Sequence, residues 1–479
     1  MSDTRYQSPL GSRYASPAMQ TLWGDAHRAQ LWRRLWLALM ETQRELGIPI
    51  PDEALADLKR HLEDPDLAAV SQYERRFRHD VMAHIHALGD QAPAARPFIH
   101  LGATSAYVTD NADLVVIRES LRLVLGRLVA LLRALASFAT RQADLPCLAY
   151  THFQPAQLTT VGKRATLWAQ DFALDVEELS ARLGSLRLLG CKGTTGTQAS
   201  FLELFQGDHE KVQELDRRVA LRLGFDRVFP VSGQTYPRKT DSGVLDILSG
   251  IAQSAAKMAG DLRLLQHEGE LLEPFESEQI GSSAMAYKRN PMRSERVTSL
   301  ARFLISLQQN PAQTAASQWL ERTLDDSANR RLVLPEAFLS ADAILILATN
   351  IVAGLEVREA VIARNVSAQM PFMATERWLM LGVTAGGDRQ ELHEVIRRES
   401  LAAAEAVSAG QPNQLLARLA GHSAFAGVPS DRLARELEPR RYVGRAPEQV
   451  AEFLRDYLEP LLARASRLAA TAPTEEVRV

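Results

Sequence analysis

Cysteine is nearly absent from this chain: 479 residues contain two, Cys147 and Cys191. Two thiols without clustered partners make neither a disulfide framework nor a zinc site, and they suit a reducing cytosol. An excess of one charge is missing too. Lys plus Arg number 55 against 58 Asp plus Glu, a formal net charge of -3. With no basic run either, nothing favours nucleic acid or a membrane surface as a partner. The opening stretch MSDTRYQSPLGSRYASPAMQ lacks the apolar core of a signal peptide. The longest uncharged apolar-rich run, Ala343 to Leu355, is too short to cross a bilayer. A soluble, cytoplasmic protein is expected. Strand signals are scarce. RVFPVSGQTYP at 227–237 reads as briefly extended, but nothing alternates long enough to predict a sheet. There is no repeat at a fixed period and no low-complexity tract.

What the chain does have is helical periodicity. Apolar residues fall at 114, 117, 121, 124, 128, 131, 135 and 138, a strict three-four alternation. Similar seams run through Leu248, Ile251, Ala255, Met258, Leu262 and Leu265, and through Phe338, Ala341, Leu345, Ala348, Val352 and Leu355. A less regular one links Val161, Ala165, Trp168, Phe172, Val176, Leu179, Leu183 and Leu186. Such seams belong to long helices packed nearly parallel or antiparallel in a bundle, with apolar faces left for sister subunits. The predicted fold class is all-α, in three regions: shorter helices over 1–109, including 23–46 and 66–88; a long-helix bundle over 110–357; and a smaller helical region over 358–479.

Four inter-helix segments carry more functional side chains than a connection requires. RRFRHDVMAHIH at 75–86 holds three histidines, but His84 and His86 are two apart and face different sides of a helix, which disfavours metal. A substrate-facing cluster of Arg78, His79 and Asp80 fits better. In HLGATSAYVTDNAD, 100–113, the residues favour a structural reading, with Asp110 a good N-cap for the long helix and Thr104 and Ser105 turn residues; the sharper reading has the same hydroxyls bind an anion near a helix start. In THFQPAQLTTVGKR, 151–164, His152 precedes Pro155, which reads as the helix entrance, and a loop histidine there is a candidate general acid or base. GSSAMAYKRNP, 281–291, is either a solvated connection or a small-residue loop able to close over a ligand held by Lys288. Pro291 suits a helix start, which places Arg293, Glu295 and Arg296 beside it. ERTLDDSANRR, 321–331, adds Arg322, Ser327 and Arg331, side chains that grip phosphate or carboxylate. The sum is a site for a polyanionic small molecule.

GSSAMAYKRNP resembles the loop shared by the fumarase/aspartase superfamily, usually G-S-S-x-M-P-x-K-x-N-P. SRYASPAM, RFRHDVMAHIH, HLGATSAYVTDN, THFQPAQLTTVGKR, KGTTGTQASF and ERTLDDSANRR, in that order, resemble the animal-type branch of the adenylosuccinate lyase family. The resemblance implies a cytoplasmic homotetramer whose long helices form a central bundle and whose active sites each draw on three subunits. It implies release of fumarate by β-elimination from adenylosuccinate and from succinylaminoimidazole carboxamide ribotide, without cofactor or metal. By resemblance His152 is the general acid and Ser282 the base, with Ser283 the alternative. Lys288 and Asn290 meet the succinyl carboxylates, with Thr104 and Ser105 opposite. Arg13, Tyr14, Arg296, Arg322, Ser327 and Arg331 hold phosphate and sugar. Arg78, His79, Asp80, Thr151 and Gln234 line the site, His79 assists acid chemistry and Glu295 orients His152. Ala286 replaces the family's usual proline, which adds backbone freedom that loop closure must remove. Argininosuccinate lyase and fumarase are the nearest rivals, and RFRHD and ERTLDDSANRR argue against both. A catalytically silent lyase-fold protein is a further alternative; the presence of His152, Ser282 and Lys288 argues against it.

Overall fold

The computed structural model describes residues 6–276, 278–285, 287–473 and Val477; Ala286 and most of the polar C-terminal tail lie outside them. Five helices make the body: Ser105–Arg141, Val161–Ser185, Lys239–His267, Met292–Leu307 and Asp325–Ala353. The first, at 37 residues, is ~55 Å long at 1.5 Å per residue. It packs along Val161–Ser185 and Asp325–Ala353, while Lys239–His267 packs against Met292–Leu307. The predicted seam faces inward throughout: Leu114, Ile117, Leu121, Val124, Leu128, Leu131 and Leu135 are all fully buried. Each such side chain contributes about 1.5–3 kcal/mol relative to exposure, which is why the spacing fixes the helix faces. Ser105–Arg141 and Asp325–Ala353 are long and apolar enough to span a membrane by length and composition, yet 61% and 78% of their apolar windows are buried within the fold.

The N-terminal helix Asp25–Glu45 packs on Ser105–Arg141. A smaller core, with Trp378, Leu392, Leu419, Phe425 and Leu433, sits in the later chain, where the Trp378 indole donates to the Leu433 carbonyl at 2.9 Å. The chain then returns, and Val450, Leu458, Leu461 and Ala465 join the main core.

Several local expectations are corrected. A two-stranded antiparallel hairpin, Pro146–Thr151 with Gln154–Thr160, lies where no sheet was predicted, and its register runs from Pro146↔Thr160 to Thr151↔Gln154. Pro155 is therefore a strand residue and not the helix entrance; the helix begins at Val161 behind Thr160, whose hydroxyl accepts from the Lys163 N–H. A second, two-residue pairing joins Leu271–Leu272 to Glu356–Val357. In the 227–237 stretch one isolated bridge, Leu188↔Val228, is formed. The predicted single helix over 66–88 is two, Leu67–Phe77 and Asp80–Gln91, because Arg78 turns left-handed (φ 56°) and His79 starts the second as its N-cap. Asp110 is no cap: the long helix starts at Ser105 behind Thr104, which leaves Asp110 inside it and buried.

Candidate active site

The helix break at Arg78 determines the first part of the site. It throws Arg78, His79 and Asp80 into a cavity of about 820 Å³ whose wall also includes Ser105, Gln234, Arg322, Ser327 and Arg331. His79 caps its helix through Nδ1, which accepts from the Met82 N–H at 3.3 Å, and its Nε2 lies 3.5 Å from the Ser105 hydroxyl. Arg331 donates to Asp80 at 2.8 Å. The Gln234 amide donates to the Thr194 carbonyl at 2.9 Å, which ties that wall to the KGTTGTQASF loop. The other two histidines of this segment are structural. His84 packs on Trp32, centroids 4.7 Å apart, and burial pushes its imidazole down to about 4. His86 stacks on Tyr73 at 5.3 Å.

Sequence reasoning missed the buried ionic layer of this cavity's wall, which Asp110, Asp113, Arg238, Asp326 and Arg330 form. Arg238 forks onto both oxygens of Asp110 at 2.8 and 3.1 Å and donates Nε to Asp326 at 2.6 Å. Arg330 donates to Asp241 at 2.7 Å and to Asp113 at 2.9 Å, and it bonds to the Tyr236 hydroxyl. Both guanidinium groups lie over the Tyr236 ring, at 4.5 and 5.2 Å from its centroid. Burial is the largest single influence on Arg238 and works against its charge, but the Asp110 carboxylate, its hydrogen bond and Tyr236 together outweigh it and hold the pKa above the ordinary arginine value. Asp110 and Arg330 were visible in the quoted motifs but not as buried ions; helical spacing from Ser105 and Asp325 is the signal that places them inward.

The serine loop forms a second surface. The Ser282 hydroxyl oxygen accepts from the backbone N–H groups of Ala284 and Met285, at 3.3 and 3.2 Å. Asn290 donates its amide to the Gly281 carbonyl at 2.8 Å, so in this state it pins the loop base. Ser283 and Lys288 are exposed. Pro291 caps the Met292–Leu307 helix, as its position predicts. Arg296, on that helix, lies over the ring of Tyr14 at 5.8 Å, which groups Arg13 and Tyr14 of the Leu10–Tyr14 turn with this surface. Glu295 borders a depression with Lys257, His267 and Arg289.

His152 lies at the tip of the hairpin. It and Phe153 are the two turn residues of the hairpin, at φ 53° and 57°, both exposed, with Thr151 beside them. Left-handed backbone at two consecutive residues that are neither Gly nor Asn costs on the order of 1 kcal/mol each, and strain of this kind concentrates at functional sites. Tyr150 and Phe153 border a depression that shares Asp261 and Leu264 with the one beside Glu295. One chain therefore brings together the Arg78, His79, Asp80, Thr104, Ser105, Gln234, Arg322, Ser327 and Arg331 group, with Thr104 the residue before Ser105, and carries the serine loop and His152 outside that cavity's lining.

Comparison with known proteins gives the family and the fold. Residues 52–305 match the family model described as "Lyase", and 371–453 match "Adenylosuccinate lyase C-terminus". Adenylosuccinate lyase of Saccharomyces cerevisiae is 51% identical over 453 residues, covering 94% of each chain. That of Schizosaccharomyces pombe is 48% identical over 96% of each, and that of Schistosoma mansoni 46% over 95% of this chain. In fold, the chain resembles the 3-carboxy-cis,cis-muconate lactonizing enzyme from Pseudomonas putida, with TM-score 0.81 and 23% identity over 97% of this chain and 100% of that one. Fumarate lyase from Mesorhizobium sp. BNC1 matches with TM-score 0.78 and 22% identity over 94% and 98%. The chain is a lyase that belongs to the adenylosuccinate lyase family.

Proposed function

We propose that the chain eliminates fumarate from adenylosuccinate, giving AMP, and from succinylaminoimidazole carboxamide ribotide, giving the free carboxamide. The arginine-lined cavity carries this reading, in a chain that matches enzymes named for the first reaction over nearly full length. Abstraction of a proton beside a carboxylate builds negative charge that oriented donors must stabilise. Ser282 is the base, and the Ala284 and Met285 N–H groups already directed at its oxygen favour the alkoxide. Lys288 adds its charge once the loop closes and water leaves. The C–H electrons form the new double bond, the C–N pair leaves with nitrogen, and His152 supplies the proton that nitrogen needs. His79 assists, and Glu295 orients His152. Lys288 and Asn290, with Thr104 and Ser105 opposite, take the succinyl carboxylates; Arg13, Tyr14, Arg296, Arg322, Ser327 and Arg331 take phosphate and sugar; Arg78, Asp80, Thr151 and Gln234 line the remainder.

Because the serine loop and His152 lie outside the arginine cavity's lining in one chain, the complete site is assembled from three subunits of a homotetramer, which works in the cytoplasm. Within each subunit we propose three regions, 1–109, 110–357 and 358–479, with the first boundary falling inside the Ser105–Arg141 helix and the end of the last region packing back on the main core. Absorbance-monitored turnover of adenylosuccinate tests the reaction. The parent should release fumarate and AMP, and Ser282→Ala and His152→Ala should each fall about 10²–10⁴-fold. An inactive, correctly assembled parent overturns the reaction; an unimpaired Ser282→Ala overturns the base alone.

A further inference from the structure

A chain of buried charge ends at the cavity in Arg322. It starts at Asp110, inside the Ser105–Arg141 helix, which accepts two N–H groups of Arg238. Arg238, 3% exposed, immediately precedes the Lys239–His267 helix and gives its Nε to Asp326 at 2.6 Å. Asp326, in the first turn of Asp325–Ala353, is buried and accepts Arg322 Nη1 through both oxygens, at 3.1 and 3.3 Å. Arg322 is the most exposed member of the chain, its side chain 26% accessible.

Asp326 therefore does two opposing things to Arg322. It tethers the guanidinium to the cavity wall, and it draws on the positive charge that a phosphate would use. With Arg238 in place the carboxylate is shared, so Arg322 is held without being neutralised. Without Arg238 the full charge of a buried carboxylate would fall on Arg322 alone, which would be pulled inward as a closed ion pair. The planar arginine fork is needed, because one ammonium cannot serve both oxygens of Asp110 and reach Asp326 as well. We propose that Arg238 is a positioning residue that sets phosphate recognition through Asp326 and Arg322. This rests on the reading of Arg322 as a phosphate-binding arginine given above. The bland alternative is a pin that only holds three helix segments together; it predicts no preference between phosphorylated and unphosphorylated ligands.

The test titrates AMP and adenosine into the intact assembly by calorimetry, alongside steady-state kinetics with adenylosuccinate. Arg238→Lys should weaken AMP about tenfold and raise KM by a similar factor, with kcat changed far less and adenosine binding unaltered. In an Arg322→Ala background the same substitution should have no further effect, because the two act along one path. Equal weakening of AMP and adenosine, or additive losses in the double variant, would overturn the proposal. Should Arg238→Lys fail to fold, Asp326→Glu keeps every buried charge while moving the carboxylate. It should reproduce the AMP-selective loss, and an unchanged AMP-to-adenosine ratio would overturn the proposal equally. A parent that binds AMP no better than adenosine also removes it. A parent that prefers AMP but does not turn over adenylosuccinate fails the reaction instead, and the titrations still decide Arg238.

Discussion

Asp175, on the inner side of the Val161–Ser185 helix, is 7% exposed, and its Oδ2 has no hydrogen-bond partner among the described residues. Burial raises its pKa to about 7, helped by Glu178 and Asp171 and opposed by a hydrogen bond from Ser254. Between the ordinary aspartate value, 3.8, and about 7 the folded state holds a proton that the unfolded chain has released. Stability therefore falls as pH rises through that window and is flat above it. The difference amounts to on the order of 4 kcal/mol at most, at 1.36 kcal/mol per pH unit. Asp175→Asn, which mimics the protonated form, should melt above the parent at pH 8, with the gap closing as pH is lowered to 5. A gap that does not change with pH would refute this account. Nothing in the sequence marks Asp175, because an acid among Asp171, Glu177 and Glu178 looks like part of a solvated face. Its burial comes from the neighbouring Lys239–His267 helix, and no local pattern encodes that packing.

Among the elements, the serine loop and the hairpin show what local pattern can and cannot reveal. The loop was legible because its composition excludes it from a core, and its tip is indeed open: Ile280, Met285 and Tyr287 are 77%, 45% and 83% exposed. Its base is tight. A Cβ on Gly281 would lie 2.1 Å from the Lys288 carbonyl oxygen, while Asn290 holds the Gly281 carbonyl from the same side. Gly281→Ala should therefore force the two strands of the loop apart without unfolding the bundle. We expect kcat to fall at least about tenfold, through misplacement of Ser282 and Lys288, with the thermal midpoint within a few degrees of the parent. A large loss of midpoint would show that the loop base is part of the core. The hairpin escaped notice for a different reason. Its two-residue turn normally announces itself as Asn-Gly or Asp-Gly, and here His152 and Phe153 adopt the left-handed conformation instead. Arg78 hides the helix break at 78 in the same way. The long helices, by contrast, needed only the three-four spacing, since each apolar position buries against a neighbour of the same period.

At the scale of the whole molecule, the bundle keeps apolar side chains on its outside. Leu167 and Leu174 are each 49% exposed, Leu264 45%, Phe303 41% and Leu332 69%. Water-facing leucines on the long helices, together with proposed catalytic groups outside the arginine cavity's lining, support the proposal that partner subunits complete both the core and the site. This makes a quantitative expectation. If His152 and Ser282 of one active site come from different subunits, a mixed tetramer of His152→Ala and Ser282→Ala chains contains sites in which both groups are intact. Random assortment of equal amounts gives such sites a frequency of one half times one half, so denaturing and refolding the two inactive variants together should recover roughly a quarter of parental activity. If one chain supplied both groups, every site would carry a defect and the mixture would stay as inactive as its parts. Recovery measured against the mixing ratio separates the cases further: it should peak at equal amounts and fall symmetrically, a dependence that residual activity in either variant cannot imitate.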